Sequence, residues 1–307
     1  MKLTKIALFV GAATIGLVGC GGGGGGSTPT SSFEATAIDG KLVNAWVRAD
    51  CDGNGEPELG PFATNESGVA TVTGGALADC AIFVEANPDG STYDAQKPSK
   101  KIAKLFLRTP KGQAVASPFS SLIALKMLAN SSLDLDSAVA ELITDLDGLG
   151  LTKEQILGDY TSGDTKNVKA GLAANALFVT LATTKEEFNA GVNNSANLIA
   201  KAKVIKNLVN NQIAKLENAG ADLAELENWT IVVEFTNDGK VIISAEEVET
   251  PATDRPNKVE KPAPEAPTEV PVIVPTPTPI PSVEPTPTPA PGTGTGTGTD
   301  GGGGTGA

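Results

Sequence analysis

The chain contains no histidine. That removes the commonest general base, the Ser-His and Cys-His nucleophile pairs and imidazole zinc sites. Aromatic residues make up only 4%, too few for a broad sugar-stacking or base-stacking platform. Basic residues are scarce beside acidic ones: 23 Lys and Arg face 36 Asp and Glu, for a net charge of -13. Nucleic acid is disfavoured as a partner, since there is no basic patch to neutralise phosphates. No "G-x-S-x-G" elbow is present either. The chain is therefore read as non-enzymatic.

Proline is absent from Phe119 to Thr250, although there are 21 prolines in all. Seven lie at or before Pro118 and 14 between Pro251 and Pro291. This divides the chain into a turn-rich part, a helix-permissive part and a tail. The fold class expected is α+β. A small antiparallel β-sandwich (33–116) is followed by a helical bundle (117–220) and a β-hairpin packed on the body (221–250). A disordered tether (20–32) precedes this body and a disordered Pro-, Gly- and Thr-rich tail (251–307) follows it.

Lys2 and Lys5 form a short basic start, and Ile6 to Val18 is an apolar run too short to span a bilayer. It ends "LVGC", Leu17 to Cys20. This order resembles the signal peptide and lipobox of bacterial lipoproteins. The resemblance implies cleavage of residues 1–19 and acylation of Cys20. Residue 21 is Gly rather than Asp, which by similarity to Gram-negative sorting rules implies the outer membrane. "GGGGGGSTPTSS" then reads as a flexible tether, not a phosphate loop, because no strand precedes it and no helix follows it.

Of the three cysteines, Cys51 and Cys80 remain for the body. In an oxidising compartment a disulfide between them is expected, with two free thiols as the other arrangement. Such a bridge contributes roughly 3 kcal/mol, which matters to a β-module of this size.

Within the turn-rich part, Ala45, Val47 and Ala49 alternate onto one strand face while Trp46 and Arg48 take the other. "GVATVTG", "CAIFVEANPDG" and "KIAKLFLRTPKG" read as further strands. The stretch Ile38 to Val72 resembles the prealbumin-like β-sandwiches of exported bacterial proteins. These include carboxypeptidase-regulatory-like and collagen-adhesin B-type repeats. The resemblance implies a structural or adhesive module.

In the helical part, Ser117 and Pro118 are expected to cap and open a first helix with Phe119, Leu122, Ile123 and Met127 on its apolar face. Asp136 is expected to cap a second, with Val139, Leu142, Ile143 and Leu146 inward. Thr152 starts a third, and Thr165 a fourth with Val168, Leu172, Val179 and Leu181 apolar. The longest runs from about Asn194 to Leu216. "SPFSSLIA" through "LTKEQILGDY" resembles the helical segment that follows such β-modules in exported Gram-negative lipoproteins. "WTIVVEFTNDGKVIISAEEVE" is a hairpin turning at Asn237-Asp238-Gly239.

The loop "DCDGNGEPE" is the one stretch with metal chemistry. Asp50, Asp52 and Asn54 have the 1-3-5 spacing of EF-hand loops, with Gly55 at position six, Glu56 at seven and Glu58 at nine. Position twelve is Pro61, not the bidentate Glu, so an EF-hand is rejected. Two readings stand: an adhesin-like Ca2+ loop using Asp50, Asp52, Asn54, Glu56 and Glu58, or an acidic turn pinned at Cys51. "GDYTSGD" reads as a linker, and Asp145, Asp147 and Glu154 as helix surface and turn residues. The function expected is that of a lipid-anchored envelope protein with a structural, adhesive or interaction role at the cell surface. Its partners would be the membrane, through the anchor, and an envelope protein or polysaccharide. A periplasmic binding or assembly factor is the alternative, and a carboxylate-only hydrolase is a third.

Overall fold

The computed structural model describes residues 31–178, 181–238, 240–249 and 259–271. The signal peptide, Cys20, most of the tether, Val179, Gly239 and most of the tail lie outside them.

The turn-rich part forms two facing sheets. One contains β1 (Ser32–Ala37), β5 (Val69–Thr73) and β9 (Val115–Ala116). The other contains β3 (Trp46–Asp50), β4 (Leu59–Ala63), β6 (Ala81–Glu85) and β8 (Phe106–Arg108), in the order β4-β3-β6-β8 and antiparallel throughout. The short β2 (Leu42–Val43) and β7 (Tyr93–Asp94) pair beside them. The β1–β5 pair is antiparallel, but β1 and β9 run parallel, so the sandwich is not wholly antiparallel as expected. The parallel pair arises because the chain crosses over from the second sheet before β9 and the first helix.

Strand alternation places Ala45, Val47 and Ala49 in the core between the sheets, with Ala35, Ala70, Val72, Ile82, Val84 and Leu107. Trp46 and Arg48 take the opposite face and stack, with the guanidinium 5.3 Å from the ring centroid. Many of the inward residues are alanines, so this core is thin. The disulfide Cys51–Cys80 staples its edge. Gly75 lies against it: a Cβ there would stand 3.0 Å from one sulfur and 3.1 Å from the other.

The β6–β8 side of the second sheet is buried on both faces, whereas β4 is largely exposed. Ile82 and Val84 point into the sandwich, whereas Ala81, Phe83 and Phe106 point into a larger core shared with the helices. Phe83 and Phe106 meet edge-on with centroids 5.7 Å apart, and Phe106 reaches Phe188 of the helical part.

Against this sheet lies α1 (Pro118–Ala129). Its start is as expected: Ser117 Oγ accepts from Ser120 N and Ser120 Oγ accepts from Ser117 N, with Pro118 in the first turn. Its burial differs. Every residue from Pro118 to Leu125 is buried, so the helix has no wet face over two turns, and Met127 is only half-buried. The serines make this burial feasible. Ser121 Oγ donates to Ser117 O and accepts from Arg108 N, joining the helix to β8 without an unpaired polar group.

The second helix, α2 (Leu135–Asp145), is capped by Asp134, which accepts from Ser137 N at 2.7 Å. The cap is not Asp136, which instead pairs with Lys153. Starting two residues earlier brings Leu135 against the core. Thr152 caps α3 (Lys153–Leu157) with the reciprocal Gln155 bond. Helix α4 (Val168–Phe178) starts three residues later than Thr165, because Gly163–Thr165 forms a separate 3-10 turn and Asn167 Oδ1 accepts from Ala170 N. Leu181 therefore lies outside α4, although it packs on the core. Helix α5 (Lys185–Val192) had no sequence counterpart, since it buries only Phe188 and Gly191. Then come α6 (Ser195–Asn218) and the short α7 (Leu223–Leu226).

The hairpin is β10 (Trp229–Phe235) and β11 (Val241–Glu247). It packs on the helices: Trp229, Ile231, Val241, Ile243 and Ala245 belong to the same core as α4 and α6. One core thus joins the β6–β8 face of the second sheet, the helices and the hairpin, beside the separate core between the two sheets. The expected tail boundary at 251 also shifts. Residues 259–271 lie along β11 as a strap, with Glu265 N donating to Ile243 O at 2.8 Å. Gln212 and Lys215 of α6 both donate to Ala263 O. The strap covers a sheet edge that would otherwise offer unpaired backbone groups.

Candidate functional site

The acidic loop between β3 and β4 is built around Asp50. Its two carboxylate oxygens accept from Gly53 N at 2.7 Å and Gly55 N at 2.9 Å. Both glycines have positive φ, which lets the chain fold back over the carboxylate. Asp52 accepts from Asn54 N and Asn54 Nδ2, and Asn54 Oδ1 accepts from Glu56 N. Glu58 accepts from Cys51 N. Beneath the loop, Arg108 lies 4.0 Å from Asp50 and 4.7 Å from the centre of the Phe83 ring. Burial lowers the Arg108 pKa, with the Asp50 charge opposing.

Of the five residues read as calcium ligands, the structure groups three. Asp50, Asp52 and Glu58 each offer an oxygen within 4.8 Å of the others. Glu56 pairs instead with Lys185 of α5, and Asn54 spends its amide inside the turn. Calcium takes six to eight oxygens, of which these three carboxylates could supply a part. The same carboxylates accept the loop's own amide hydrogen bonds, the arrangement of a pinned turn.

A second polar cluster lies where the three parts of the body meet. Asp39 follows β1 and is 6% exposed, with Oδ1 lacking any hydrogen-bond partner. Asp94, on β7, is equally buried, and its Oδ1 accepts from Gln96 N at 2.9 Å. Gly40 makes room for it: a Cβ there would stand 2.2 Å from Asp94 Oδ1. Lys97 is half-buried alongside, and the Tyr160 hydroxyl points at Asp39 O from 3.4 Å. Burial, and then the Asp94 charge, raise the Asp39 pKa well above the ordinary carboxylate value. Burial raises Asp94 as well, against its amide hydrogen bonds and Lys97. Burial lowers Lys97, with the two aspartates opposing.

Two clefts flank this cluster and share Asp39 and Asn175. The smaller, about 130 Å3, is lined by polar groups of Tyr160, Asn167 and Thr230. The larger, about 340 Å3, runs between β10 and the segment 97–104. No local motif in the sequence marks Asp39, Asp94 or Lys97 as members of one site. The available signal was the density of Lys97, Lys100, Lys101 and Lys104 in so acidic a chain.

Two further carboxylates are held by local partners. Asp145 sits between Lys126 at 2.8 Å and Lys203 at 2.6 Å. Partial burial works against its charge, but those two lysines hold its pKa below the usual range, the wrong direction for a general acid. In "GDYTSGD", Asp159 accepts from Thr161 N and Ser162 Oγ, a local turn before α4.

No family model, curated protein or solved structure matches this chain. No described helix is long and apolar enough to cross a membrane.

Proposed function

We propose that the protein is a lipid-anchored envelope component, held through Cys20 at the outer membrane, with a non-enzymatic structural or interaction role at the cell surface. The observation that carries this is the Cys51–Cys80 disulfide in a body that follows a lipobox-like "LVGC". A disulfide belongs to an oxidising, exported setting, and several acyl chains on one cysteine give stable anchoring. The body suits such a place, because a shared core packs the β-module against helices and hairpin and the net charge favours solubility. The β-module is read as the prealbumin-like type.

Mass spectrometry of the membrane-extracted protein tests the anchor: acylated Cys20 as the first residue is expected, and a free or internal Cys20 overturns it. Protease shaving of intact cells tests the surface role, with release of the body expected. Complete protection favours the second reading, a periplasmic binding or assembly-factor lipoprotein. The paired clefts around Asp39 are the observation in its favour.

A further inference from the structure

We propose that the cleft between the Lys97–Lys104 segment and β10 docks the phosphate-bearing headgroups of an anionic membrane surface. Lys97, Lys100, Lys101 and Lys104 all line it, and residues 95–108 contain no acidic side chain. Lys100, Lys101 and Lys104 are exposed, and Lys101 is steadied 4.1 Å above the Tyr93 ring. The other wall is apolar, formed by Phe178, Ile231 and Val233, with Ile102 set among the lysines. Cationic rim and apolar wall together suit an amphiphile: phosphate to the ammonium groups, first methylenes to the wall.

Acidic groups do border the segment. Glu249 accepts from Ser99 N, and Glu246 acts on Lys97. Glu187 lies within reach of the Lys104 charge. Asp39 and Asp94 also line the cleft, as buried groups whose neutral forms burial favours.

Charge argues for a membrane as the occupant. A body in a chain of net charge -13 is repelled by an anionic surface except where its cations cluster. Reach agrees. The six residues of β1 run from the tether towards Asp39 at the cleft, about 20 Å. Residues 21–30 extend to at most ~35 Å, so anchor and cleft can meet one surface. The reach argument rests on the anchor proposed above; the headgroup contact does not.

The test uses unlipidated chain from Gly21 onward, which keeps every described residue. It is sedimented with phosphatidylcholine vesicles and with vesicles that also contain phosphatidylglycerol. Binding only to the anionic vesicles, weakened by salt, is expected. Replacing Lys100, Lys101 and Lys104 together by Ala should cut it at least tenfold, whereas Lys203→Ala with Lys206→Ala on α6 should not. Should the triple variant fail to fold by its thermal melt, Lys104→Gln alone should still reduce binding. Equal binding to both vesicles, no binding, or an undiminished lysine variant overturns the proposal. So does complete displacement by millimolar inorganic phosphate at constant ionic strength, which marks a free-anion site. Because this protein carries no acyl chain, the result stands apart from the fate of Cys20.

Discussion

Thr268 and Val241 exchange two backbone hydrogen bonds, each 2.9 Å long, across a gap of primary sequence that includes the strand β11. A segment that composition marks as tail is thereby an edge partner of the hairpin. Ending the chain at Lys258 removes this pair, the Glu265 to Ile243 bond and the acceptors of Gln212 and Lys215. A loss of about 1–3 kcal/mol is expected. Urea unfolding measures it, and hydrogen exchange should show faster exchange at Val241. Unchanged exchange there would show that the strap contributes nothing.

Asp39 makes stability fall as pH rises. Its folded-state pKa lies well above the ordinary carboxylate value, so above pH ~4 the folded chain holds a proton that the unfolded chain has released. The associated stability is full below pH ~4 and drains away towards the raised pKa. Asp94 acts in the same direction. Asp39→Asn keeps the shape and removes the titration. Denaturant curves at pH 4, 5.5 and 7 should show the variant gaining on the natural protein as pH rises. A constant difference would rule the linkage out.

The staple and Gly75 should be energetically coupled. Replacing Cys51 and Cys80 together by Ser should cost roughly 3 kcal/mol. Gly75→Ala drives a methyl to 3.0 Å from the Cys51 sulfur and should destabilise the bridged protein by about 1–3 kcal/mol. In the Ser background the smaller oxygens should relieve part of that cost, which a double-mutant cycle would register. Strict additivity would disprove the contact.

The acidic loop should behave as a turn. Asp50→Ala leaves two backbone amides without their acceptor and the half-buried Arg108 without its counter-ion, a loss of about 2–4 kcal/mol. Asp52→Asn, on the exposed rim, should stay within about 0.5 kcal/mol. Millimolar calcium should leave the melting temperature of the natural chain in place. A calcium-dependent rise abolished by Asp52→Asn would restore the metal reading.

Local rules were legible where one residue answers to its near neighbours. Ala45, Val47 and Ala49 share a face because side chains alternate along any strand. Ser117 and Thr152 cap because a hydroxyl two or three residues ahead of an orphan amide can reach it. Asp134 displaced Asp136, since both fit the local rule and only packing of Leu135 distinguishes them. Helix α5 was illegible because two buried residues leave too faint a period. At the calcium loop the spacing of Asp50, Asp52 and Asn54 was visible. That Glu56 turns to Lys185, more than a hundred residues away, was not.

By itself the sequence determined the order of β-module, helical part and hairpin, the pairing available to Cys51 and Cys80, and the exclusion of histidine chemistry. All of these depend on composition or on contacts within a few residues. Tertiary structure decided that β6 and β8 are buried on both faces, that α1 has no wet side over two turns, and that residues 259–271 lie as a strap along β11. It alone brought Asp39, Asp94, Lys97 and Tyr160 together. Burial from all sides leaves no periodic mark on a strand or helix, and a polar cluster drawn from three distant segments has no spacing to read.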